Sequence, residues 1–178
     1  MTRREPALIA VDGLGGAAIA AAARAALASI DRATRGGVSC WDASGVFEEL
    51  AVAGADAGPP SVRTLLLLYA ADLAFRLRWE IRPVLAEGRS VVAAPYVETA
   101  VAFGRAAGID RGWLVNLFRF APRPTERRFV DRTAVRGGRG GGFVEFGFEQ
   151  VPKVMLGATR AELVERMTAY LRASARRS

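Results

Sequence analysis

The spacing of apolar and polar positions switches repeatedly between strand and helix along this chain. The run Ala7–Val11, "ALIAV", contains no polar residue and turns at Asp12–Gly16 into apolar positions at helical spacing through about Ile30. That pattern predicts a buried strand feeding a helix through a glycine turn. "GGVSCWD" (36–42) predicts a second strand, and "SGVFEELAVAG" (44–54) a short helix capped by Ser44. After a loop at 54–60, "SVRTLLLLYAADLAFRLRWEIRPVLAEG" predicts a long helix from Ser61, bent or divided near Pro83 and ended by Gly88.

"RSVVAAPY" (89–96) is apolar on both faces and reads as a buried parallel strand. Helices are predicted at about 97–106 and 110–120, separated by Gly108, with "TERRFVD" (125–131) a poorer strand candidate. "VRGGRGGGF" (135–143) reads as a flexible loop, and the alternation in "FVEFGFE" (143–149) predicts a strand or hairpin arm. "KVMLGA" (153–158) is expected to be the last strand. "TRAELVERMTAYLRAS" (159–174) is expected to be an amphipathic helix, with Thr159 and Glu162 at capping-box spacing. Strands alternating with helices predict an α/β fold with a mostly parallel sheet.

Composition narrows the chemistry. A chain of 178 residues, 51% hydrophobic and 24% charged, supports one domain (1–178) with a sizeable core. The net charge of +7 favours anionic partners, but the arginines are scattered, so a nucleic-acid partner is not expected. Lys153 is the only lysine among 25 basic residues. There is no histidine, which removes the commonest general base and metal ligand. Cys40 is the only cysteine, so no intrachain disulfide or thiolate cluster can form. Arg3–Arg4 before an apolar stretch faintly suggests a twin-arginine leader, but Asp12 interrupts that stretch. A cytoplasmic, soluble protein without a membrane span is expected.

The stretch "LLLLYAADLAFRLRWEIRPVLAEGRSVVAAPYVETAVAF" (65–103) resembles thymidylate kinases, members of the P-loop nucleoside monophosphate kinase fold. It is similar to that family's "LLLFAADR" helix, its "I-R-P-L-x-x-G" exit and its "DRY-x-x-S-x-x-AYQ" segment. "GIDRGWLVNL" (108–117) and "KVMLGATRAELVERM" continue the similarity in register. The resemblance implies a three-layer P-loop-kinase-like fold with a mostly parallel five-stranded sheet. Its lid is expected to be reduced or missing, replaced over 132–150 by a glycine-rich loop or hairpin.

Matched to the family's "EGxDGAGKST" loop, this chain has Asp12, Gly13, Leu14, Gly15, Gly16, Ala17, Ala18, Ile19, Ala20 and Ala21. Gly13 keeps the first glycine of the motif, but Ala18 replaces the second. Ile19 stands at the lysine position and Ala20 at the metal-binding hydroxyl. Neither offers charge or lone pair to a phosphate or to Mg²⁺. The "DRY" triplet has become Ala94, Pro95, Tyr96; the helix arginine is Leu73; and the "REP" turn corresponds to something like Trp41, Asp42, Ala43. Gly104 replaces the final glutamine of "AYQ". The remnants of a nucleotide pocket implied by the resemblance are Asp42, Tyr69, Tyr96, Thr99 and Phe103, and packing as a core or groove-lining residue is the favoured explanation of Tyr69, Tyr96, Thr99 and Phe103. Arg76 and Arg105 are candidates to replace a lost phosphate contact, and Arg136 and Arg139 to reach one from the glycine-rich loop.

No catalytic residue, no metal site and no Mg-ATP cofactor are expected. Three functions remain open at this point: an inactive thymidylate-kinase-like protein with a regulatory, scaffold or partner-binding role; a dTMP-like nucleotide sensor without turnover; and a divergent active kinase. The family dimerises through helix faces, which implies a homodimer or a heterodimer with a protein partner, and any nucleotide ligand would bind weakly.

Overall fold

In a computed structural model of the chain, residues 5–130 and 141–177 are described. The segment 131–140, which includes Arg136 and Arg139, lies outside the described residues. Four strands form one sheet: β1 (Leu8–Gly13), β2 (Arg35–Cys40), β3 (Ser90–Ala94) and β4 (Glu126–Val130). Their order is β2-β3-β1-β4, and every pairing is parallel. β1 and β3 occupy the centre and are buried along their whole length, as their unbroken apolar runs require. β4 is an edge strand, only partly covered, and its charged residues leave little apolar pattern to read. The β2–β3 ladder is irregular between Arg35 and Val38. Gly36 sits there because a Cβ would come 2.5 Å from the Ser90 carbonyl oxygen.

Helices cover both faces. α1 (Gly16–Ala28) packs Ile19, Ala23 and Ala26 against Ile9, Val11, Val92 and Ala94. The opposite face, carrying Leu8, Ala10, Val91 and Ala93, meets a larger core. That core is built from α3 (Val62–Arg76), α5 (Val97–Ala106), α6 (Arg111–Phe118) and α9 (Arg160–Ala175), with α2 (Val46–Ala57) beside α3. The result is the expected three-layer α/β arrangement.

Several expectations need correction. Among the described residues the sheet has four strands, not five. "KVMLGA" forms a single helical turn, α8 (Lys153–Leu156), because Pro152 before it and Gly157 at φ +69° after it leave room for no more. "FVEFGFE" forms α7 (Phe143–Gln150) rather than a strand. The apolar–polar alternation from Val144 to Glu149 suits period 2, but the buried Phe143, Val144 and Gly147 lie on one helical face. α2 is not capped by Ser44. Asp42, in the left-handed region at φ 59°, accepts the Phe47 and Glu48 N–H groups at 3.0 and 3.1 Å.

The helix from Ser61 divides before Pro83. A π-helical turn (Leu77–Ile81) joins α3 to α4 (Arg82–Ala86), and Gly88 at φ +76° ends the run. Proline has no N–H to give the carbonyl four residues earlier, so the ladder widens just upstream of it. The cap of α9 is as its sequence predicts, with Thr159 and Glu162 bonding each other's backbone N–H. Among the described residues no helix is long and apolar enough to cross a membrane.

Candidate functional site

The strands of a parallel sheet end on one edge, and the crevice beyond those ends is where open α/β folds bind ligands. Here β1 ends at Asp12–Gly13, β2 leads into Trp41–Asp42, and β3 leads into Pro95–Tyr96. Asp12 is 2% exposed, and one of its carboxylate oxygens, Oδ1, accepts three donors. These are the N–H of Tyr96 (2.9 Å), the N–H of Thr99 (3.0 Å) and Thr99 Oγ1 (2.9 Å). Asp12 therefore caps α5. Burial raises its pKa to about 6, against the lowering pull of the Thr99 and Tyr96 hydrogen bonds. Thr99 Oγ1 also accepts the Gly13 N–H at 3.1 Å, which ties the strand end to the helix start.

A second network lies behind the first. Tyr69, fully buried on α3, donates its hydroxyl to the Tyr96 carbonyl, and Tyr96 donates its own to the Pro122 carbonyl at 2.8 Å. Burial pushes both phenols well above the ordinary tyrosine range. Arg76 is also fully buried. Its Nε donates to Ser39 Oγ (2.9 Å), and its Nη2 donates to the Ser39 and Pro95 carbonyls (2.8 and 2.9 Å). Its Nη1 lies 3.9 Å from Asp72 Oδ2. Asp72 accepts the N–H groups of Asp42 and Ser44 and the Ser44 hydroxyl. Burial, first of all, holds the Asp42 carboxyl above its usual range.

The turn after β1 is short. α1 begins at Gly16, with only Leu14 and Gly15 between it and the strand, and the Ile19 N–H already bonds the Gly15 carbonyl at 2.9 Å. Positions 17–20 thus lie in the first turns of α1. Ile19 points into the core beneath the sheet, while Ala20 is exposed. The Gly16 N–H donates to Glu145 Oε1 at 2.8 Å, and the Gly142 N–H donates to Glu145 Oε2 at 2.9 Å. Glu145 is 6% exposed, and α7 carries it over the strand ends. Two residues earlier on the same helix, the Phe143 ring lies 4.6 Å from Tyr69, 5.4 Å from Phe103 and 5.9 Å from Phe47. The cavity bordered by Asp12 and Tyr96 measures about 90 Å³, below the several hundred Å³ usual for a small-molecule site.

The residues singled out from sequence therefore fall into distinct places. Asp12, Gly13, Tyr96 and Thr99 meet in one hydrogen-bonded cluster, joined to Tyr69 through the Tyr96 carbonyl. Tyr69 and Phe103 meet through Phe143. Asp42 caps α2 and reaches the others through Asp72. Gly16 meets Glu145, whereas Ala18 is half-buried and Ala20 exposed on α1. Arg76 is engaged internally, and Arg105 donates to the Ile109 carbonyl at 3.0 Å. Sequence reasoning missed Glu145, Phe143 and Asp72. A glutamate three residues after Gly142 is a faint helix-start signal, but the apolar–polar alternation around it masks it. Among the described residues no group of three or more His, Cys, Asp or Glu side chains is placed to hold a metal ion. Ile19 and Ala20 carry neither a hydroxyl nor a charge.

No family model matches the chain. A probable thymidylate kinase of Pyrococcus horikoshii is 41% identical over 58 residues, which is 33% of this chain and 28% of that protein. Those of Pyrococcus abyssi and Pyrobaculum calidifontis are 38% and 34% identical over 79 residues, covering 40% and 44% of this chain and 38% and 39% of theirs. The chain thus matches well under half the length of these relatives. The crystal structure of thymidylate kinase from Ehrlichia chaffeensis superposes with a TM-score of 0.70 at 13% identity, over 97% of this chain and 82% of that one. The chain therefore has the fold of a thymidylate kinase, with stretches similar in sequence to proteins of that name.

Proposed function

We propose that this chain is a catalytically inactive, thymidylate-kinase-like protein whose role is to bind a protein partner, as a homodimer or heterodimer, without transferring phosphate. One observation carries the reading: only two residues separate α1 from β1, and its first N–H is held by the chain's own Glu145. Phosphoryl transfer depends on positioned cations and backbone donors around the phosphates. Here the corresponding side chains are Ile19, turned into the core, and Ala20, with Ala94 and Pro95 where the metal-organising acid and phosphate-clamping arginine would stand. No Mg-ATP cofactor belongs to this proposal. Leu67, Ala71, Phe75 and Trp79, four residues apart on α3 and the π turn, form an exposed apolar stripe. That stripe supports a partner-binding role.

Two measurements test the reading. A coupled assay with dTMP, ATP and Mg²⁺ is expected to show no turnover above buffer, and robust turnover overturns the proposal. Mass measurement in solution is expected to give a dimer for the isolated chain or for the chain with its partner. A thermal-shift response to dTMP without turnover would instead favour a nucleotide sensor.

A further inference from the structure

The crevice at the carboxyl ends of β1, β2 and β3 is filled by the chain itself. α7 brings two chemically different groups into it within one helical turn. Phe143, 1% exposed, sits among the rings of Tyr69, Phe103, Phe47 and Trp41. Glu145 spreads its two carboxylate oxygens over the N–H groups of Gly16 and Gly142, 2.8 and 2.9 Å away. One of those donors opens the thirteen-residue α1, where helix geometry favours an anion.

Glycines permit the close approach. A Cβ at Gly16 would fall 2.2 Å from the Gly142 nitrogen, and one at Gly147 would fall 2.6 Å from Phe103 Cζ. A buried carboxylate is costly unless it is hydrogen-bonded, and this one is. α7 therefore fits the crevice as a bound molecule would, with a planar ring in an aromatic nest and an anion on backbone donors.

We infer that α7 is an internal ligand of this crevice: Phe143 takes the place of an aromatic group and Glu145 that of its anion, so an external aromatic anion such as a nucleotide enters only where α7 withdraws. The inference rests on the non-catalytic reading of the same site and deepens it by naming what occupies the site. The phosphate-binding donors persist in part, and an intramolecular carboxylate saturates them.

Removing the carboxylate tests this directly. Thermal unfolding of wild type, Glu145→Ala and Glu145→Gln is followed in inorganic pyrophosphate and in formate, each against sodium chloride of matched ionic strength. Wild type is expected to show no anion-specific shift. Glu145→Ala is expected to melt lower and to regain about 3–5 °C at a tenfold excess of anion over its Kd. Glu145→Gln, which still fills the space, is expected to regain less. Equal responses of wild type and Glu145→Ala, or none in Glu145→Ala, overturn the inference.

Should Glu145→Ala fail to fold, hydrogen exchange on wild type decides. The Gly16 and Gly142 amides are expected to be protected and indifferent to pyrophosphate. Fast exchange, or slowing by pyrophosphate, overturns the inference. Turnover by wild type would defeat the non-catalytic reading instead, so the two failures are told apart.

Discussion

Replacing Gly16 by alanine sets local preference against tertiary packing, and the two predict opposite signs. Within a helix, alanine is favoured over glycine by up to about 1 kcal/mol. At this position its Cβ would lie 2.2 Å from the Gly142 nitrogen, 2.6 Å from Gly142 Cα and 2.9 Å from the Gly141 carbonyl carbon. All three are backbone atoms, so no side-chain rotation relieves the clash. Ordinary carbon contacts begin near about 3.5 Å, and the two backbones must therefore part by roughly 1.3 Å. That shift carries the Gly16 N–H to Glu145 Oε1 distance from 2.8 Å to about 4 Å, beyond hydrogen-bond reach.

A hydrogen bond to a charged group contributes about 1.5–3 kcal/mol, and loosening Phe143 among its rings adds to the loss. Set against the helix-propensity gain, Gly16→Ala should destabilise the protein by about 2 kcal/mol. For a chain of this length that lowers Tm by roughly 4–8 °C. Thermal and urea unfolding followed by circular dichroism measure it. Gly37→Ala is the control, since nothing lies within 4 Å of a Cβ there, and it should change stability by less than about 0.5 kcal/mol. If Gly16→Ala melts at or above wild type, α7 is not seated on α1 as described.

Two further substitutions probe the polar networks. Asp12 has its carboxyl raised by burial to about 6, from an ordinary 3.8. Between those values the folded protein holds a proton that the unfolded chain has released, so its stability contribution of about 3 kcal/mol is complete below about pH 4 and lost as pH rises through 6. Asp12→Asn keeps an oxygen for all three donors. Subtracting its Tm–pH profile from that of wild type should leave a slope confined to pH 4–6, with the variant the more stable at pH 7.5; parallel profiles would refute the burial argument. Arg76→Ala removes a buried guanidinium and leaves Asp72, the Ser39 carbonyl and the Pro95 carbonyl short of a donor. A loss of about 3–5 kcal/mol in urea unfolding is expected, and a loss below about 1 kcal/mol would show that Arg76 is not held in the interior as described.

The parts legible in the sequence are those where one local signal was strong enough to decide the structure. The apolar run at 7–11 followed by glycines could only be a buried strand and turn, and "SVVAA" only a central strand. The Thr159–Glu162 pair marks its helix start without help from the rest of the chain. The short, ambiguous segments were decided elsewhere. "FVEFGFE" alternates well enough for a strand, and its seven residues differ little in intrinsic preference. Packing Phe143 among four rings and setting Glu145 on two N–H groups outweighs that difference.

Asp42 supplanted Ser44 as the α2 cap because its left-handed backbone turns the carboxylate onto two N–H groups at once, a geometry that spacing alone does not reveal. Among the described residues the last strand candidate, 153–158, is closed off by Pro152 and Gly157. By itself the sequence determined the α/β order and placed uncharged side chains, Ile19 and Ala20, in the first turns after the glycines. Only the tertiary structure decided what stands in the crevice, because the contact between Gly16 and Glu145 joins residues 129 apart in the chain, and no local pattern encodes it.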